Sequence, residues 1–234
     1  MEDQPGNLAA AAAGRGFAML FRALKAARPG RPIHPDGVAL TGMLQRHGLE
    51  EPTGVEWIDA GGSDQVTARL SRSLGLPGGW PDILGLALRV PHEGRHLDIL
   101  LASTGATRAG RFVLTMRRSA AAGPFTSLMP YRTGRGPLLL AARPLSAAAN
   151  LPADAEAFRR SLGGDPWTLG LYHAGPLEPW TQFATLTLRP DGERADTAAR
   201  YDPVLNPIPG AGVYGWTRQL REPSYSAARQ PRGS

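Results

Sequence analysis

Most apolar positions in this chain fall into short runs with a period of two, the pattern of half-buried strands rather than long helices. The clearest run covers residues 66–71. Val66, Ala68 and Leu70 point to one side, and Thr67, Arg69 and Ser71 point to the other. An arginine and a serine on one face can reach a common polar ligand, or they can form an ordinary solvent face. Further strands are expected over residues 81–90 and 97–104, with 91–96 as the turn between them. Two more span 125–133 and 136–144, and another pair covers 167–173 and 183–188, ahead of a turn at Arg189-Pro190-Asp191-Gly192. Helical spacing is confined to two segments. Residues 8–27 carry Phe17, Leu20, Phe21 and Leu24 on one stripe until Pro29 stops it, and residues 154–162 begin at Asp154, a capping residue. Residues 31–42 read as an extended lead-in to a strand, with Pro32 and Pro35 stiffening the backbone around His34. The sum is an α+β chain, mainly antiparallel, with no internal repeat and no dividing linker.

Composition agrees with frequent turns: the 234 residues include 29 Gly and 22 Pro, and 42 % apolar residues are enough for a sizeable core. No apolar run approaches the roughly 18 residues of a membrane-spanning helix. The first residues, with Glu2 and Asp3, lack the basic start of a secretory signal, so a cytoplasmic protein is expected. Zero cysteines exclude disulfides, thiolate ligands and cysteine-based zinc sites. The net charge of +6 comes from dispersed arginines beside a single lysine, Lys25, which argues for a compositional bias and against a nucleic-acid surface. The histidines at 34, 47, 92, 96 and 173 form no recognisable metal cluster with Asp or Glu, which weakens a hydrolase reading. His92, Glu93 and His96 fall in an expected turn, where helical chelation does not apply.

Near the end of the chain, Arg221 lies four residues before Tyr225 and Arg232 lies seven after it. A cation beside a phenol favours the phenolate, and tyrosinate is one of the few protein ligands that hold haem iron. Taken alone, the segment reads better as a basic chain end. Several segments in order, however, resemble the haem catalases. R-x-x-H-x-x-G-x-x-x-x-G at Arg31, His34, Gly37 and Gly42 is similar to the distal-histidine segment of that family. Ala68 to Ser71 resembles the strand that supplies a propionate-binding arginine and a serine bonded to the histidine. D-x-x-G-x-A-x-R at Asp82, Gly85, Ala87 and Arg89, then Leu97-Asp98 and Thr104, resembles the family's next segment. Asp202-Pro203, Asn206 and Pro209-Gly210 then precede R-x-x-x-Y-x-x-x-x-x-x-R at Arg221, Tyr225 and Arg232. The middle of the chain looks like the short catalase-related haem peroxidases.

The resemblance implies a catalase-like β-barrel core with an N-terminal helix and C-terminal helices. It implies one domain over 1–234: an arm over 1–30, the barrel over 31–190, and a loop with the proximal tyrosine over 191–234. It implies haem b, with Tyr225 as iron ligand, Arg221 stabilising the phenolate, and Arg31, Arg69 and Arg232 pairing with the propionates. His34 is implied as the catalytic base and Ser71 as the partner that holds its tautomer. The implied activity is that of a peroxidase or catalase-like oxidoreductase using hydrogen peroxide or, better, an organic hydroperoxide, with an electron donor. A monomer or small homo-oligomer fits, with neither nucleic acid nor a membrane span. The alternative is a non-catalytic protein of the same fold that binds haem or another small molecule.

Two departures bear on the activity. The position of the family's distal asparagine, counted from Asp98, is Ala102, and losing an oriented donor costs on the order of 10²-fold in comparable sites. Ser103 substitutes only if the backbone shifts. Pro223 interrupts a helix through the tail, which would put Tyr225 in a first turn and leave Arg221 to be placed by the turn.

Overall fold

The computed structural model describes residues 36–77, 79–145 and 151–215. The expected helix over 8–27, the segment with Arg31 and His34, and the segment with Arg221, Tyr225 and Arg232 lie outside them. Eleven strands and two short α-helices make up the described chain. The strands are β1 (Gly37–Arg46), β2 (Gly62–Arg72), β3 (Asp82–His92), β4 (Arg95–Ser103), β5 (Met116–Arg117), β6 (Phe125–Thr126), β7 (Tyr131–Thr133), β8 (Gly136–Pro144), β9 (Trp167–Ala174), β10 (Thr181–Pro190) and β11 (Gly212–Val213). The helices are α1 (Glu56–Asp59) and α2 (Ala155–Leu162).

All pairings between these strands are antiparallel, in the order β8-β6-β4-β3-β2-β1-β10-β9, and β9 pairs back onto β8. The eight strands therefore close into a barrel whose neighbours follow chain order, and closure leaves the main sheet of the described residues without an open edge. Closure makes one face of each strand the interior. Val38, Leu40 and Leu44 of β1 lie there, with Val66, Ala68 and Leu70 of β2, Leu84 to Val90 at alternate positions of β3, and Leu97, Ile99 and Leu101 of β4. The helices add aromatic rings. Trp57 of α1 meets Phe183 edge-on at 6.1 Å, and Phe158 of α2 meets Trp167 at 5.3 Å. Asp154 caps α2 as expected, its Oδ1 accepting from the Ala157 amide at 2.9 Å, and Gly163 ends the helix at φ 57°.

Several expectations change. The turn over 91–96 contracts to Glu93 and Gly94, both at positive φ, the two-residue turn whose twist matches the flanking strands. His92 and His96 therefore belong to β3 and β4. The strand over 125–133 divides into β6 and β7 because Leu128 sits at φ 60°, with its amide donating to the Thr126 hydroxyl. Gly42 is a packing residue: a Cβ there would collide with the Thr187 carbonyl oxygen of β10.

Candidate functional site

Because alternate residues of a strand face opposite sides, the apolar interior of β1–β4 determines what lies on their outer face. The register lines those outer residues into rows. Gly37, Ser71, Gly85 and Ala102 form one row, Ala39, Arg69, Ala87 and Leu100 the next, and Thr41, Thr67, Arg89 and Asp98 the third. The first two rows are mostly Gly and Ala, so this part of the wall is a low shelf with few projecting side chains. Arg69 and Ser71, anticipated as a shared face of one strand, stand on it and are buried at 9 % and 7 % exposure.

The Arg69 guanidinium grips a carboxylate edge-on. Its Nε donates to Asp196 Oδ1 at 2.7 Å and its Nη2 to Asp196 Oδ2 at 2.8 Å, the fork geometry that suits a planar anion. Gly37 makes room for it, since a Cβ there would lie 2.7 Å from the guanidinium carbon. The Ser71 hydroxyl reaches the Gly85 carbonyl oxygen at 3.4 Å.

Asp196 belongs to a strap, residues 191–206, that crosses the outer wall from β1 to β4. The strap starts with the Asp191 amide donating to Ala39 O and the Ala39 amide donating to Ala195 O. Arg159 of α2 steadies it by donating to the carbonyls of Asp191, Arg194 and Ala195. Its far end closes on Asp98. Arg89 donates twice to the Asp98 carboxylate at 2.8 Å, and the Asp202 amide and Asn206 side chain each donate to Oδ2 at 2.8 Å. Burial alone would raise the Asp98 carboxyl, but these donors, Arg89 foremost, hold it below the ordinary range. Tyr201 lies between the two anchors, its ring centroid 5.0 Å from the Arg89 guanidinium carbon. Burial pushes its phenol up, against the pull of Arg89 and a hydrogen bond with Thr67.

The two residues at the distal-donor position separate cleanly. Ala102 lies in the outer row with Ser71, whereas Ser103 belongs to the barrel side of β4 and is fully buried. The Ser103 hydroxyl donates to Thr115 O at 2.6 Å and accepts from the Leu84 amide at 3.0 Å. Ser103 is therefore no substitute for an asparagine here. Its hydroxyl is committed on the wrong side of the strand.

The structure thus brings together Arg69, Ser71 and Ala102 on one face, while Arg31, His34, Arg221, Tyr225 and Arg232 lie outside the described residues. Sequence reasoning misses Asp196 and Tyr201, for no spacing marks a loop residue as the partner of a strand residue more than a hundred positions away. A groove of about 660 Å³ opens further along the wall, beside Met43, Gln65, Arg95 and His96. Among the described residues no group of His, Asp and Glu is placed to hold a metal ion.

The closed antiparallel barrel has a known counterpart: the fold is catalase-like. The chain is similar to a bacterial catalase with 13 % identity and a TM-score of 0.54, covering 86 % of this chain and 60 % of that one. A fungal catalase gives 15 % identity and a TM-score of 0.60, over 86 % and 59 % of the two chains. Catalase A from Saccharomyces cerevisiae gives 12 % identity and 0.61, over 86 % and 61 %. The chain spans about three-fifths of the length of these catalases. No protein-family model matches the sequence, and no curated protein matches it. At such identities the likeness concerns the fold.

Proposed function

We propose that this chain is a catalase-like haem oxidoreductase that uses hydroperoxides, with organic hydroperoxides favoured over hydrogen peroxide. The observation that carries this reading is the shelf of small residues on the outer wall of β1–β4, with Arg69 between Ala39 and Ala87 holding a carboxylate edge-on. A flat macrocycle with carboxylate arms needs both features. Glycine and alanine let a ring lie close to the strands, and a guanidinium fork suits a propionate. The described residues therefore fit haem b.

In this reading Tyr225 is the iron ligand and Arg221 favours its phenolate form over a phenol that otherwise keeps its proton to about pH 10. Arg31 and Arg232 join Arg69 in neutralising the propionates. Bound haem would supply the iron centre at which a peroxide O–O bond is cleaved. The His34 imidazole takes a proton from one peroxide oxygen and returns it to the leaving oxygen, and Ser71 holds the imidazole tautomer. The methyl group of Ala102 offers no hydrogen bond to a peroxide, which disfavours hydrogen peroxide and leaves apolar space for an organic chain. An electron donor completes the turnover. The reading takes 1–234 as one domain, in a cytoplasmic protein that is a monomer or small homo-oligomer.

Spectra and turnover of protein produced with haem supply test this. Tyr225→Phe should abolish the tyrosinate-type absorption, and an unchanged spectrum would remove Tyr225 as ligand. His34→Ala should keep haem but lose oxidation of a reducing dye by cumene hydroperoxide. A second reading, a non-catalytic haem-binding or small-molecule-binding protein of this fold, is favoured by Ala102 together with the committed hydroxyl of Ser103. Wild-type protein that takes up haem yet turns over neither peroxide would establish it.

A further inference from the structure

The best-formed contact on the shelf is the one between Arg69 and Asp196, and it has a consequence for what the shelf can accept. The Asp196 carboxylate takes the Nε–Nη2 edge of Arg69 with two short, parallel hydrogen bonds. That is the edge and the geometry a propionate would require. Arg69 is rigidly placed: its side chain is 10 % exposed and passes over Gly37, where any Cβ would displace it. Asp196 is the more exposed partner. Its side chain is 33 % exposed, on a strap that carries no regular strand or helix, and its Oδ1 also accepts from the Thr197 amide at 2.7 Å. One edge of one guanidinium cannot grip two carboxylates in the same plane, and the more exposed partner is the one that yields.

We propose that Asp196 is an internal occupant of the propionate position, displaced from Arg69 when the carboxylate arm of haem binds. This inference rests on the haem reading of the same shelf. Displacement has a physical logic. A guanidinium buried to this extent is costly to leave without an anion, and Asp196 supplies one from the chain's own strap. The same pairing competes with the ligand, and it lowers affinity by the fraction of molecules in which Asp196 holds Arg69. Competition is specific for a carboxylate. A ring without charged arms has no use for the Arg69 edge and gains nothing from clearing it. Exchange also couples the ligand to the strap, because Asp196 lies between the Ala195 anchor on β1 and the Asp202 anchor on Asp98.

The test is an absorbance titration of the full-length protein, freed of haem, with haemin and separately with haemin dimethyl ester. Wild type, Asp196→Ala and the near-isosteric Asp196→Asn are compared, with circular dichroism reporting folding. Asp196→Ala should bind haemin about 10-fold more tightly than wild type, with the diester changed less than about 2-fold. Asp196→Asn, which keeps the shape and one acceptor, should fall between them, and it carries the comparison if the alanine variant does not fold. Equal or weaker haemin binding in both variants would overturn the exchange and make Asp196 a permanent partner of Arg69. An equal gain for haemin and diester would overturn it too, because the effect would then be a general loosening. Wild type and variants that all fail to take up haemin would sink the haem reading itself, and the exchange with it.

Discussion

The two faces of the same four strands, β1–β4, are built on opposite rules. Inward, Leu40, Leu70, Leu84, Leu86, Leu88, Leu97 and Ile99 fill the barrel with large side chains at 2 % exposure or less. Outward, Ala39, Gly85, Ala87 and Ala102 present almost nothing, Gly37 lies under the Arg69 side chain, and Ser71, Leu100, Arg89 and Asp98 stand among them. A stable barrel requires the first pattern. It does not require the second, except where the 191–206 strap packs on the wall, as it does over Ala39. Small residues around a buried arginine are what a face needs when something flat lies on it.

That contrast can be broken from either side. The largest effect should come from the interior: Trp167→Ala removes a ring held edge-on by Phe125 and Phe158 and should cost about 3–5 kcal/mol in a denaturant titration. A loss below about 1 kcal/mol would mean that the Trp167 ring is not part of the cooperative core. Next is the strap's far anchor. Asp98→Ala takes the partner from Arg89 and the acceptor from Asp202 and Asn206, with an expected loss of about 3 kcal/mol at neutral pH. The sign with pH follows from the lowered folded-state value. The Asp98 contribution is complete above the ordinary carboxyl value of 3.8 and is lost as pH falls below it towards the folded-state value. The variant should therefore lack that part of the acid-side slope. The smallest effect on stability, within about 1 kcal/mol, is expected for Ala87→Leu on the half-buried outer shelf. Its effect on haem uptake should be large, because the side chain rises from the centre of the shelf. A leucine there that leaves haem uptake intact would refute the assignment of the shelf.

How much of this is legible in the sequence depends on the range of the interactions involved. The alternation of Val66 to Ser71 gives the direction of Arg69 and Ser71 correctly, because side-chain direction in a strand is a property of two neighbouring residues. Asp154 marks the start of α2 for the same reason. Counting from Asp98 identifies Ala102, but the opposite facing of Ser103 needs the strand itself. Closure of β9 on β8, the grip of Asp196 on Arg69 and the clustering of Asn206 on Asp98 are contacts between distant segments, and no local pattern records them. Asp98, Asp202 and Asn206 each belong to a segment with a family resemblance. Their joint structural role, anchoring a strap across the wall, emerges only from the fold.

The central claim is that the outer face of β1–β4 receives haem, and the most direct measurement is an ultraviolet–visible titration of the haem-free wild-type protein with haemin. Saturation at one equivalent, with a tyrosinate-type spectrum that Ala87→Leu prevents, is the expected result. A protein that stays colourless, or that takes up haem equally well with leucine at position 87, would contradict it.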